Sequence, residues 1–172
     1  MTAIAAVIYG PDEDCDVLLT DFAHDLARAG VAVAGLVQVN AGASCAEIDM
    51  ELELVGSGRR FNICQDLGSG SVNACRLDPA GLAAAAGALR AALEQPASLA
   101  IVNKFGRAEA EGGGLVAEIG AAVEQGLPLV VGVPKRFTEA WAAFAGGLDD
   151  RLPCSRAALD AWWARQVPAA AE

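Results

Sequence analysis

The chain has 172 residues, 54% of them hydrophobic but only 5% aromatic, with a formal charge of −10 and a pI near 4.5. That length suits one domain with a full core built from alanine, valine and leucine, and the composition excludes a disordered polymer. The acidic balance excludes a nucleic-acid surface, which needs a basic face against phosphates, but leaves room for a small anionic ligand held by local charge.

Residues 3–9 (AIAAVIY) are an apolar run of strand length. MTAIAAVIYG has no basic leader and reads as a buried first strand, not a signal peptide. GPDEDCD then supplies turn and capping residues for a helix over about 14–29, with Val17, Leu18, Phe22 and Leu26 expected on its buried face and Gly30 at its end. Residues 31–38 predict a second buried strand. The strict alternation of 48–55, a Gly-Ser-Gly turn and the return RRFNIC predict a half-exposed hairpin.

QDLGSGSVNACRLD (65–78) lacks periodicity and reads as a loop. Asp78-Pro79 is an N-cap followed by a proline at the first helical position, opening a helix to about Gln95. A strand at 98–102, a loop at 103–113, a helix at 114–125 and a strand at 127–133 follow. Thr138 and Ser155 are expected to cap two last helices, the first carrying Trp141 and Phe144, the second Leu159, Trp162 and Trp163. Tryptophans at helical spacing are more often core than interface.

Buried strands alternating with helices predict a single α/β domain over 1–172: three layers, a mainly parallel sheet with helices on both faces, and an inserted hairpin. No run of 18 apolar residues occurs, so no membrane insertion is expected. Five widely spaced cysteines without a C-x-x-C pair suit a reduced cytoplasmic chain. The only histidine is His24, with no ligand pair near it in sequence, and no metal is expected.

Ligands of such sheets bind beyond the carboxyl ends of the strands. The chain's two lysines, Lys104 and Lys135, both fall at strand ends, with Arg107 and Arg136 close in sequence. A cationic rim in a chain of charge −10 suits an oxyanion. The plainer alternative makes both lysines solvated loop residues paired with Glu109, Glu111 or Glu139. The 65–78 loop adds glycine amides, the hydroxyls of Ser69 and Ser71, the Asp66 carboxylate and the Arg76 guanidinium. Cys75 in that loop is more readily a structural cysteine than a reactive thiol.

Three stretches carry a family resemblance. They are Gln65, Asp66, Gly68, Gly70 and Cys75 through Asp78; residues 102–106 with Glu109, Ala110, Gly112, Gly114 and Leu115; and the AFAGGL of 143–148. In these the chain resembles a bacterial family of uncharacterised proteins, the domain of unknown function numbered 2478. Members often lie near molybdenum genes and are sometimes labelled molybdenum-transporter ATP-binding proteins. A more distant likeness is to small P-loop nucleoside-triphosphatases of the thermophilic-archaeal type. The resemblance implies a P-loop-like fold whose phosphate loop, G-x-x-x-x-G-K-[ST], falls on residues 10–17. There Cys15, Asp16 and Val17 replace the second glycine, the lysine and the hydroxyl, and Asp12, Glu13 and Asp14 crowd the loop. Where the distant family's strand tip carries acids, this chain has Asn103 and Lys104. Both halves of the magnesium-phosphate machinery are absent, which predicts a catalytically degenerate domain.

The expectation is therefore a domain that binds an oxyanion or nucleotide through Asp66, Ser69, Ser71, Arg76, Asn103, Lys104, Glu109 and Lys135. Lys104 and Arg76 supply charge, Asn103 directional donors, and Glu109 orients Lys104. A role in molybdenum or tungsten handling comes from the resemblance alone. Two alternatives stand beside it: a nucleoside-triphosphate hydrolase or phosphotransferase with a non-standard site, and a non-catalytic interaction subunit. The sequence leaves the ligand, a homodimer and a molybdenum-transport partner open.

Overall fold

The computed structural model describes residues 3–41, 49–63 and 78–168. Seven strands form one sheet in the order β4-β3-β2-β5-β6-β1-β7. They are β1 (Ile4–Tyr9), β2 (Val33–Ala41), β3 (Asp49–Leu54), β4 (Arg59–Asn62), β5 (Leu99–Val102), β6 (Leu129–Pro134) and β7 (Asp149–Pro153). From β2 to β7 across the sheet every pairing is parallel, while β2-β3-β4 is antiparallel, so the hairpin extends one edge.

Alternation along β1 explains the layers. Ala5 and Val7 point to one face, where they meet Phe22, Ala23, Leu159 and Trp162 of α1 (Cys15–Arg28) and α6 (Arg156–Gln166). Ile4 and Ala6 point to the other face and meet α2 (Pro79–Leu93), α4 (Val116–Glu124) and α5 (Thr138–Ala145). The architecture is the three-layer α/β fold that the alternating pattern predicts.

Local chemistry sets the helix ends. The Asp14 side chain accepts from Val17 N–H at 3.1 Å, the Asp78 side chain accepts from Ala80 N–H at 3.0 Å, and the Ser155 hydroxyl accepts from Ala158 N–H at 3.3 Å. Gly30, at φ 89°, takes the left-handed conformation that ends α1.

Four expectations need correcting. Of the face expected for α1 only Val17 fails, at 54% exposed: Phe22 is buried with Cys15, Leu19 and Ala23, and Leu18 and Leu26 pack partly buried against the same core. Residues 103–113 are not all loop, because Arg107–Ala110 forms one turn, α3. Thr138 is no cap: it opens α5, and its hydroxyl donates to the Lys135 carbonyl at 2.7 Å, bracing a 3-10 turn at Lys135–Phe137. The strand β7 went unpredicted because DDRLP is polar; among the described residues it pairs only with β1, at the sheet edge, where no apolar run is required.

Candidate functional site

β5, β6 and β1 lie side by side and parallel, so their carboxyl ends bring three loop starts together. Between them is a cleft of about 440 Å³, lined by the cationic Lys104, Lys135 and Arg136 together with Tyr9, Gly10, Pro11 and Pro134. Both lysines of the chain thus line one cavity. Among the described residues neither takes part in an ion pair, so the expected pairing with Glu109, Glu111 or Glu139 is not how they are satisfied. A second cleft of about 410 Å³ adjoins it through Lys135 and is lined by Glu13, Arg151, Cys154 and the apolar Ile8, Leu152 and Pro153.

Packing explains the position of Lys104. Phe105, 1% exposed, anchors the tip of β5 by stacking edge-on against Trp141, with ring centroids 5.2 Å apart. The Lys104 stem folds beside Gly106, where a β-carbon would stand 3.3 Å from the lysine Cδ. Glycine at 106 therefore gives the stem its space.

Asn103 is only 2% exposed, and its amide is engaged within the protein. Its Oδ1 accepts from Gln38 N–H at 3.1 Å, and its Nδ2 donates to Asp16 Oδ1 at 3.1 Å and to Gln38 Oε1 at 3.3 Å. The Asn103 and Asp16 side chains therefore bond directly, joining the tip of β5, β2 and the first turn of α1.

Glu109 is likewise turned inward. Its carboxylate accepts from Gly106 N–H at 3.2 Å and from Leu115 N–H at 3.4 Å, holding the glycine-rich loop against α3. Burial pushes its carboxyl above the usual carboxylate range, while the backbone N–H groups of Glu109, Leu115 and Gly106, and the charge of Lys104, pull it back. Burial also pushes up the Tyr9 phenol and the Cys15 and Cys154 thiols, so Tyr9 stays a neutral donor and both thiols stay protonated.

Asp66, Ser69, Ser71, Arg76 and Cys75 lie outside the described residues. Of the sequence-predicted residues, Lys104 and Lys135 meet in the cleft; Asn103 and Glu109 are bonded inside the protein and do not line it. Arg136 was named beside Lys135 but left out of the expected ligand set, and two participants were missed, Tyr9 and Glu13. Tyr9 was legible as a neighbour of the first strand's end. Glu13, whose carboxylate accepts from Gly10 N–H at 2.9 Å, was read only as one of three crowding acids. Also unpredicted is His24, on α1, whose Nε2 lies 2.6 Å from Glu53 Oε2 and ties the hairpin to that helix. Among the described residues no three His, Cys, Asp or Glu side chains converge to hold a metal ion, and no helix is long and apolar enough to cross a membrane.

Comparison with known proteins agrees with this fold. Over 97% of each chain the structure is similar to that of THEP1 from the hyperthermophile Aquifex aeolicus, with a TM-score of 0.58 at 12% identity. That likeness places the sheet and its helices in the P-loop-NTPase-like α/β class. In sequence, 162 residues are 44% identical to the molybdenum import ATP-binding protein ModC 2 of Bradyrhizobium diazoefficiens. The match takes in 93% of this chain but 18% of that protein, so the chain spans under a fifth of its relative. Residues 4–162 match the family described as protein of unknown function (DUF2478), and the chain belongs to that family.

Proposed function

We propose that the chain binds a phosphate-bearing or other oxyanionic ligand, such as a nucleotide, in the cleft at the ends of β5, β6 and β1, and does not cleave it by P-loop chemistry. The observation that carries this reading is the meeting of Lys104, Lys135 and Arg136 around one cavity in a chain of charge −10. Cations gathered around a cleft attract and hold anions most strongly where water is partly excluded. The absence of hydrolysis follows from Asn103 and Asp16, which bond to each other where a metal-holding acid and a phosphate-loop lysine are expected. Asp66, Ser69, Ser71 and Arg76 remain proposed members of the site.

The name of the Bradyrhizobium relative, a molybdenum import ATP-binding protein, supports a nucleotide or a molybdenum oxyanion as ligand and a role in molybdenum handling. A cavity of about 440 Å³ favours the nucleotide, because pockets of roughly 300–1,000 Å³ suit ligands much larger than a tetrahedral oxyanion. The free thiols Cys15 and Cys154 fit a reducing, cytoplasmic setting. A second reading, an interaction module, draws support from the relative's length, of which this chain is a small part.

Calorimetric titration with phosphate, molybdate, tungstate and ATP tests the proposal. Saturable binding of at least one is expected. Lys104→Ala should weaken it by about tenfold to a hundredfold, the range for one charge-assisted hydrogen bond of roughly 1.5–3 kcal/mol. Unchanged affinity in that variant removes the reading. Magnesium-dependent phosphate release from ATP by the purified protein would favour the hydrolase alternative.

A further inference from the structure

Gly10 opens the loop after β1 and lines the cationic cleft. Its backbone N–H faces away from the sheet ladder and needs an acceptor. The Glu13 carboxylate supplies one, curling back three residues to accept at 2.9 Å, while Glu13 N–H donates to the Gly10 carbonyl at 3.2 Å. From the point where a β-carbon of Gly10 would stand, Glu13 Oε1 and Lys135 Nζ are each 3.7 Å away. A carboxylate and an ammonium thus converge on the rim of the cleft without forming a close ion pair. Asp12 and Asp14 share the loop, but Asp14 is committed to capping α1.

We infer that Glu13 is a built-in occupant of the anion site, and that a bound oxyanion displaces its carboxylate from the Gly10 N–H. This rests on the function proposed above and adds the competitor that sets its affinity. One N–H makes one short bond, and two anions at that place repel each other. A ligand oxygen that reaches Gly10 must therefore take the place of the carboxylate. The ligands so selected carry oxygens able to accept a backbone N–H and enough charge to outbid a tethered carboxylate, as a polyphosphate does. The apparent affinity is the intrinsic one reduced by the fraction of molecules with the latch open.

The experiment measures tripolyphosphate binding by calorimetry in the parent chain, Glu13→Gln, Asp12→Asn and Lys104→Ala. Glutamine keeps an acceptor for Gly10 but removes the charge, and Asp12→Asn makes the same change in net charge without touching that bond. Glu13→Gln is expected to bind about tenfold tighter, and Asp12→Asn within about twofold of the parent. The Gly10 amide resonance should move both on adding tripolyphosphate to the parent chain and in ligand-free Glu13→Ala. Equal or weaker binding by Glu13→Gln, or equal tightening by Asp12→Asn, overturns the latch while leaving the anion site intact. Binding by none of these folded proteins, or binding unchanged in Lys104→Ala, overturns the site and the latch together.

Discussion

At the residue scale the site is governed by which polar groups already have partners. Asn103 and Glu109 sit beside Lys104 in sequence, yet both spend their polar atoms inside the protein, on Gln38 and Asp16 and on the Gly106 and Leu115 amides. The lysines keep their charge for the cleft. Glu109 has a consequence for stability against pH. Burial, set against the neighbouring N–H groups, holds its proton to a higher pH in the folded state than in the unfolded chain. Stability therefore falls as pH rises from the unfolded value, about 4.3, through the folded one. Urea midpoints taken between about pH 4 and pH 7 should show that decline, and Glu109→Gln should flatten it. A decline of equal depth in the variant would assign the effect to another group.

Elements are held in register by close approaches that only small residues permit. Gly132 lies mid-strand in β6, and a β-carbon there would collide with the Asn103 carbonyl oxygen. The same strand receives the Phe105 N–H on the Gly132 carbonyl at 2.7 Å, so β6 sets the height of the Lys104 tip. Gly132→Ala is expected to cost about 1–3 kcal/mol by overpacking and to weaken ligand binding as well. Chemical denaturation alongside calorimetry would show both losses; a stable variant with parental affinity would show the approach to be unimportant. The edge strand β7 depends on a different device. Trp141 Nε1 donates to Asp149 Oδ2 at 3.0 Å, fastening α5 to a strand that has only one neighbour among the described residues. Trp141→Phe keeps an aromatic ring but removes the indole N–H and part of a buried side chain, and should lower stability by about 1–3 kcal/mol or more. Cleavage by a protease near 149–153 should rise with it.

On the scale of the whole molecule, two apolar layers clamp one sheet. Leu159 and Trp162 of α6 pack with Phe22 of α1 on one face, all of them 0% exposed. Leu159→Ala should cost about 2–5 kcal/mol through the cavity it leaves, while the folded fraction keeps its anion affinity. Lost affinity at full folding would mean the layer shapes the cleft directly. The apolar runs at 3–9, 98–102 and 127–133 announced three central strands, because a strand buried on both faces must be apolar throughout. The caps at Asp78 and Ser155 were equally legible, since an N-cap needs only its own side chain and an amide two or three residues on. β7 was not, because an edge strand is fixed by its partner and can be polar. The sequence by itself determined the alternation of strands and helices and the placing of both lysines at strand ends, both of which are local matters of pattern. Only the tertiary structure decided that β6 stands between β5 and β1, so that Lys104 and Lys135 share one cavity. It also decided that Asn103, Glu109 and Glu13 turn to internal donors, because strand order and hydrogen-bond partners depend on residues far apart in the chain.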